Sequence, residues 1–304
     1  MAETLNAAYD ASDMRATSLS VPGEPGRTRL DDGRRVQEGI ASVFDRASGY
    51  YRDMRWEKNP VTRLEKRLTS EVLAQELGDG PAASALEIGC GPGTWTALLA
   101  DRAAEVVALD LSEKMLERAR EAVSQPNVSF VHGDAAAFAP ARAFDLVMSV
   151  RVLEYVPEWR SIVRRLESLV APGGRAVIIT KTPVSVWRGT GRERWFGPHT
   201  MARRATGRKL DLDFWQHHIP VREMRRAFAE AGLVDLRVRP VIFGLPVYVR
   251  GTKQYPIIPG FAEAPALRAT EAAWQWVSRR QGGLRRASLL LAESYAVSGR
   301  RPAR

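Results

Sequence analysis

Three glycines alternate at Gly89, Gly91 and Gly93, directly after the apolar run Ala85–Ile88 and before a helix expected to open near Thr94. Glycine serves where the backbone must turn with positive φ and where a ligand must touch the main chain. The third glycine follows the second by two residues, so the spacing is not the dinucleotide fingerprint. No lysine follows, so the loop is not a phosphate-cradling loop either. What remains is chemistry suited to a nucleoside that carries no phosphate. A second chemical signal lies one strand later, where Glu105–Leu109 ends in the carboxylate of Asp110.

These residues need a frame. From Ala85 to Arg239 the order reads strand, helix, strand, helix, strand, strand, helix, strand, helix, strand. Such alternation predicts an α/β fold with a parallel sheet and helices on both faces. Ligands of that architecture lie at the carboxyl ends of the strands, which puts Asp110 in reach of two ribose hydroxyls. The plain alternative is a cap, since Asp often ends strands. Ser112 reads as the N-cap of the following helix, with Glu113 in its first turn.

The pattern Glu-x-Gly-x-Gly-x-Gly over Glu87–Gly93, with an acid ending the next strand, resembles the class I S-adenosylmethionine-dependent methyltransferases. The resemblance spans about residues 40–240 and includes four further segments in order. Val128–Ala135 resembles the third strand, with Asp134 facing the adenine amino group and Ala135 nearing the ring; a Gly-Asp turn is the alternative. His132 reads as a packed strand-end residue. Ala143–Pro157 resembles the central strand and the loop beside the methyl donor. Leu169–Thr180 carries the Pro-Gly-Gly turn and buried strand found at this place in the family.

The resemblance implies a doubly wound, seven-stranded, mostly parallel sheet with an antiparallel last strand, a helical N-terminal lid and cap insertions. It implies S-adenosyl-L-methionine as cofactor, with contacts from Glu87, Gly89, Gly91, Gly93, Asp110, Leu111, Asp134 and Ala135. Methyl transfer from a sulfonium is an in-line displacement, and a base is needed only if the acceptor must lose a proton. Glu154 and His199 are the candidate catalytic groups, with Tyr155 orienting. The bland alternatives are a solvated helix-start acid for Glu154 and a cap for His199.

The chain has 304 residues, enough for one large domain with attachments. No apolar run approaches the roughly 18 residues that span a bilayer. A single cysteine, Cys90, forms no internal disulfide, which fits a cytoplasmic setting. Net charge is +10, from 45 basic and 35 acidic residues. That excess admits weak association with an anionic membrane surface, or reflects only an arginine- and alanine-rich composition. No RNA-binding motif is present, so no nucleic-acid partner is expected, although RNA methylation is the rival enzyme reading. A non-catalytic donor-binding protein of the same fold is the rival from another class. His217 and His218 are adjacent, a poor metal spacing, and no metal is expected.

Residues 1–34 read as a disordered lead and 35–80 as a helical lid, broken near Asn59-Pro60. In it Tyr50 and Tyr51 either cover the donor or merely pack. Residues 81–304 form the main domain, with the last strand expected over Leu289–Val297. Two stretches, about 181–219 and 241–285, exceed ordinary connections. They hold eleven large aromatics, among them Trp187, Trp195, Trp215, Tyr248, Trp274 and Trp276. These insertions are expected to enclose a bulky, largely apolar small-molecule acceptor. Residues 188–226 carry ten basic and four acidic side chains, suited to an anionic group, a membrane surface or solvent.

Overall fold

The computed structural model describes residues 39–57, 60–78, 80–182, 218–243, 260–279, 288–289 and 292–303. The expected lead, His199, His217 and most aromatics of the two insertions lie outside the described residues.

Helix α1 covers residues 39–47 and a π-helical turn covers Asp53–Glu57. Helix α2, Pro60–Leu77, follows. The strands are β1 (Ala82–Ile88), β2 (Ala103–Asp110), β3 (Val128–His132), β4 (Phe144–Val150), β5 (Val170–Lys181), β6 (Val234–Phe243) and β7 (Ala292–Arg300). Between them lie α3 (Thr96–Ala100), α4 (Glu113–Ala122), α5 (Trp159–Arg164), α6 (Leu166–Leu169), α7 (Val221–Glu230) and α8 (Gly260–Ser278). The sheet order is β3-β2-β1-β4-β5-β7-β6. β7 runs antiparallel to both neighbours, and the pairs from β3 to β5 are parallel. The fold class read from the sequence is the fold observed.

The chain moves outward from β1 to β2 and β3, then returns to β4 on the other side of β1. That reversal opens a crevice at the carboxyl ends of β1 and β4, where ligands of doubly wound sheets sit. β1 is buried through its last five residues because helices cover both faces of a parallel sheet. On one face Leu68, Val72 and Leu73 of α2 pack with Leu99 of α3 and with Trp274. On the other, Trp159, Ile162 and Leu166 pack with Met224 and Phe228 of α7.

α8 carries Pro265 inside it. Two details differ from the sequence reading. β7 begins at Ala292, three residues later than expected. Pro172 and Gly173 sit within β5 as an irregularity where the register against β4 jumps from Val170 to Arg175. Gly174 there faces Ala171 O and Asp145 O so closely that a Cβ would lie 2.8 Å from each.

Candidate active site

The glycine turn is built by the backbone. Gly89 has φ +72°, and a Cβ there would stand 2.3 Å from Val152 Cγ2. Only glycine lets the β1 end approach the β4 loop so closely. Gly91 has φ +53° and nothing within 4 Å of its would-be Cβ, so its open side faces free space. Gly91 N–H donates to Asp110 Oδ2 at 2.7 Å, and Ser112 N–H donates to Asp110 Oδ1 at 2.9 Å. Each carboxylate oxygen thus keeps a further lone pair. Burial pushes the Asp110 carboxyl above its ordinary value, opposed by the N–H groups of Ser112 and Gly91. Asp110 thus fixes the local turn and also lines the cavity. Ser112 caps α4 as expected, its Oγ accepting from Met115 N at 3.1 Å.

A cavity partly open to solvent, about 980 Å³ when its open mouth is counted, runs across these strand ends. One end is walled by Asp110, Leu111, Gly133, Asp134 and Ala135. Asp134 Oδ1 accepts from Ala136 N at 2.8 Å. The other end is walled by Arg151, Val152 and Tyr155 after β4. The lid closes over it with Ile40, Phe44, Tyr51 and Trp56. Phe44 meets Tyr51 edge-on at 5.7 Å and Tyr155 at 5.3 Å. Ser112 Oγ also donates to Asp45 Oδ1 at 2.5 Å, latching α1 to the wall that carries Asp110. Of the two tyrosines in question, Tyr51 lines the cavity while Tyr50 is exposed.

Three expectations need correction. Glu87 is 1 % exposed, is absent from the cavity wall, and accepts from Thr96 Oγ1 at 2.6 Å. Strand alternation points it away from the face that Ile88 shares with the cavity. Burial pushes its carboxyl up to about 8. Glu154 is fully buried, with Oε1 accepting from Arg151 Nε at 2.6 Å and Oε2 from Thr180 Oγ1 at 2.9 Å. With both oxygens engaged and no place on the cavity wall, it is an anchor rather than a base. His132 is exposed rather than packed; its Nε2 lies 3.0 Å from Leu111 O. Tyr155 does line the cavity, its phenol held up chiefly by burial. Cys90 also lines it, and burial raises its thiol well above the ordinary range, so it stays protonated.

The sequence reading missed Arg151, Glu65, Arg55 and Thr94. Arg151 is 7 % exposed and adopts φ 63°, a left-handed conformation costly for a non-glycine residue, about 1–3 kcal/mol. Its N–H donates to Ile179 O at 2.8 Å. Its Nη1 donates to Glu65 Oε1 at 3.0 Å, and Arg55 holds the same carboxylate with bonds of 2.6 and 3.0 Å. The Arg-x-x-Glu spacing of Arg151 and Glu154 was the available signal; Glu65 lies 86 residues away and was not. Thr94 Oγ1 is buried in the turn and has no hydrogen-bond partner among the described residues.

The observed features fit S-adenosylmethionine: an open glycine turn, a carboxylate with lone pairs to spare, and an orphaned hydroxyl on the same wall. Among the described residues no group of three His, Cys, Asp or Glu could hold a metal. No helix among them is long and apolar enough to cross a membrane.

A methyltransferase domain family matches residues 85–174, which include the turn, Asp110, Asp134 and the β4 loop. An uncharacterized methyltransferase of Mycobacterium tuberculosis is 30% identical over 138 residues, 45% of this chain and 67% of that protein. The chain belongs to the S-adenosylmethionine-dependent methyltransferases. A trans-aconitate 2-methyltransferase of Methylobacterium radiotolerans is 41% identical over 124 residues, 39% of this chain and 46% of that methyltransferase. The chain spans about half, or less, of the length of the first curated relatives it matches. In fold, the chain resembles the N-methyltransferase NodS from Bradyrhizobium japonicum in complex with S-adenosyl-L-homocysteine, with a TM-score of 0.53 at 17% identity, covering 86% of this chain and 98% of that one.

Proposed function

We propose that this protein transfers a methyl group from S-adenosylmethionine to a small organic acceptor that enters between the lid and the β4 loop. The observation that carries this reading is Asp110. Its two oxygens, each already fixed by one backbone N–H, present their remaining lone pairs to the cavity. Two vicinal hydroxyls of a ribose satisfy that arrangement with charge-assisted bonds. Gly89 and Gly91 keep the turn thin enough for the ligand to lie against main chain, whereas Gly93, off the cavity wall, lets α4 pack close: a Cβ there would stand 2.7 Å from Val123 Cγ2. Leu111 and Ala135 flank the base, and the second oxygen of Asp134 accepts from its exocyclic amine. Thr94 Oγ1 gains the partner it lacks. When bound, S-adenosylmethionine supplies a methyl group already activated by its sulfonium.

The protein's own part is then to orient the acceptor and exclude water. Phe44, Tyr51, Trp56 and Tyr155 provide an apolar and aromatic wall for the acceptor's body. The small carboxylic acid in the name of the Methylobacterium radiotolerans relative supports a small-molecule acceptor. The aromatic insertions expected to complete the pocket remain part of the proposal through Trp187, Trp195, Trp215 and Tyr248. Trp274 is not: it lies in the core, with Nε1 donating to Pro240 O at 3.1 Å, and Trp276 is exposed. Incubation with methyl-labelled donor and an untargeted acceptor mixture tests the reading. Label should move into small-molecule product; donor that binds but never turns over with any acceptor contradicts it.

A further inference from the structure

Resting on the methyl-transfer reading above, we infer that the acceptor presents a carboxylate to the donor methyl and that Arg151 receives it. Arg151 stands at the carboxyl end of β4, across the crevice from Gly89, and lines the cavity. Its backbone is held at a positive φ that no glycine relieves. Strain of this kind concentrates where a side chain must be aimed.

The guanidinium is buried but not isolated. Nε and Nη1 go to Glu154 and Glu65, while Glu65 also takes Arg55 and Glu154 also takes Thr180. Two cations face two carboxylates, so the cluster is neutral before any ligand enters. Among the described residues Nη2 has no hydrogen bond, which leaves one edge of the planar fork for a further oxygen. The phenols of Tyr51 and Tyr155 share this end of the cavity, and burial keeps both protonated to higher pH than usual. They are donors here, not bases.

Among the described residues, no free proton acceptor stands where a base would be needed. The carboxylates on the described wall, Asp110 and Asp134, stand at the nucleoside end, and Glu154 has both oxygens engaged. An alcohol or ammonium acceptor would have to shed a proton into this environment. A carboxylate would not. One of its oxygen lone pairs forms the new C–O bond to the methyl carbon as the C–S bond breaks, and that bond's electron pair goes to sulfur. The products are a methyl ester and S-adenosylhomocysteine, with no proton released. With the cluster already neutral, the sulfonium supplies the compensating charge and Arg151 Nη2 a hydrogen bond against the cost of bringing the anion out of water.

Trans-aconitate, benzoate and octanoate, each beside its amide, are the probes, together with benzyl alcohol and benzylamine. Two readouts are taken: alkali-labile label from methyl-labelled donor, and calorimetry of the acids against protein loaded with S-adenosylhomocysteine. At least one acid should bind at least tenfold tighter than its amide and yield alkali-labile label, at a rate flat between pH 6 and 9. Arg151→Gln should weaken that acid at least tenfold with the S-adenosylhomocysteine Kd within twofold, and Arg151→Lys should restore part of the loss. Should Arg151→Gln fail to fold, the acid–amide comparison and the pH profile of the unaltered protein decide. Failure of all three acids to bind, preference for amide, alcohol or amine, or a rate that climbs with a base between pH 6 and 9 overturns the assignment and leaves methyl transfer standing. Failure of S-adenosylhomocysteine itself to bind overturns both.

Discussion

Glu87 sets a pH dependence that can be measured without knowing the acceptor. Its carboxyl is 1 % exposed, receives one hydrogen bond from Thr96 and feels Asp110 nearby. Burial outweighs the hydrogen bond, so the folded carboxyl titrates at about 8 against an ordinary 4.5. The folded state therefore holds a proton that the unfolded chain has lost between those values. Glu87's contribution to stability is fully present below about pH 4.5 and falls as pH rises through the window, by about 1.4 kcal/mol per pH unit and about 5 kcal/mol in all. Glu87→Gln keeps an acceptor for Thr96 Oγ1 and does not titrate. Its thermal midpoint should draw ahead of the unaltered protein's by about 2 °C or more per pH unit between pH 5 and 7.5. Paired melting curves at pH 5, 6, 7 and 7.5 check this. A gap that stays constant across the series would mean Glu87 is ionised in the fold, and the burial reasoning fails.

Other residues give sharper local tests. Arg175 on β5 pairs directly with Arg300 on β7, and its guanidinium is lowered first by burial and then by Arg237 and Arg300. Arg300→Glu should raise the thermal midpoint by about 1–3 °C in low salt, from about 0.5–1 kcal/mol, and the gain should shrink at high ionic strength when melted in both. Trp274→Ala removes a fully buried side chain and its bond to Pro240, and should cost about 3–5 kcal/mol in urea unfolding while leaving the donor Kd of the folded fraction unchanged. Asp45→Ala breaks the latch from α1 to Ser112 and should speed donor release in stopped-flow traces, with little change in melting temperature.

The parts legible in the sequence are those in which neighbours along the chain settle the geometry. The glycine turn, Asp110 and the Ser112 cap lie within one strand–turn–helix run, and their spacing carries their roles. The parallel α/β class followed from the same alternation of elements. Glu87 was misplaced because the motif was read as a block, although alternation along β1 turns it away from Ile88. Glu154 was misread because its meaning depends on Arg151 and Thr180, and the latter stands 26 residues on. Arg151 itself was hidden by two things that spacing does not express: a positive φ outside glycine, and a partner, Glu65, in the lid region. Trp274 was counted with the pocket aromatics because aromatic content alone does not say which face of a helix meets the core.

The central claim is that Asp110 holds the ribose of S-adenosylmethionine, and calorimetry of S-adenosylhomocysteine with the unaltered protein and Asp110→Ala tests it most directly. Losing charge-assisted bonds worth about 1.5–3 kcal/mol should weaken binding by about 10- to 150-fold, and the loss of the bonds from Gly91 and Ser112 N–H should also lower the melting temperature of the free protein. An Asp110→Ala protein that stays folded and binds within twofold of the unaltered one would contradict the account.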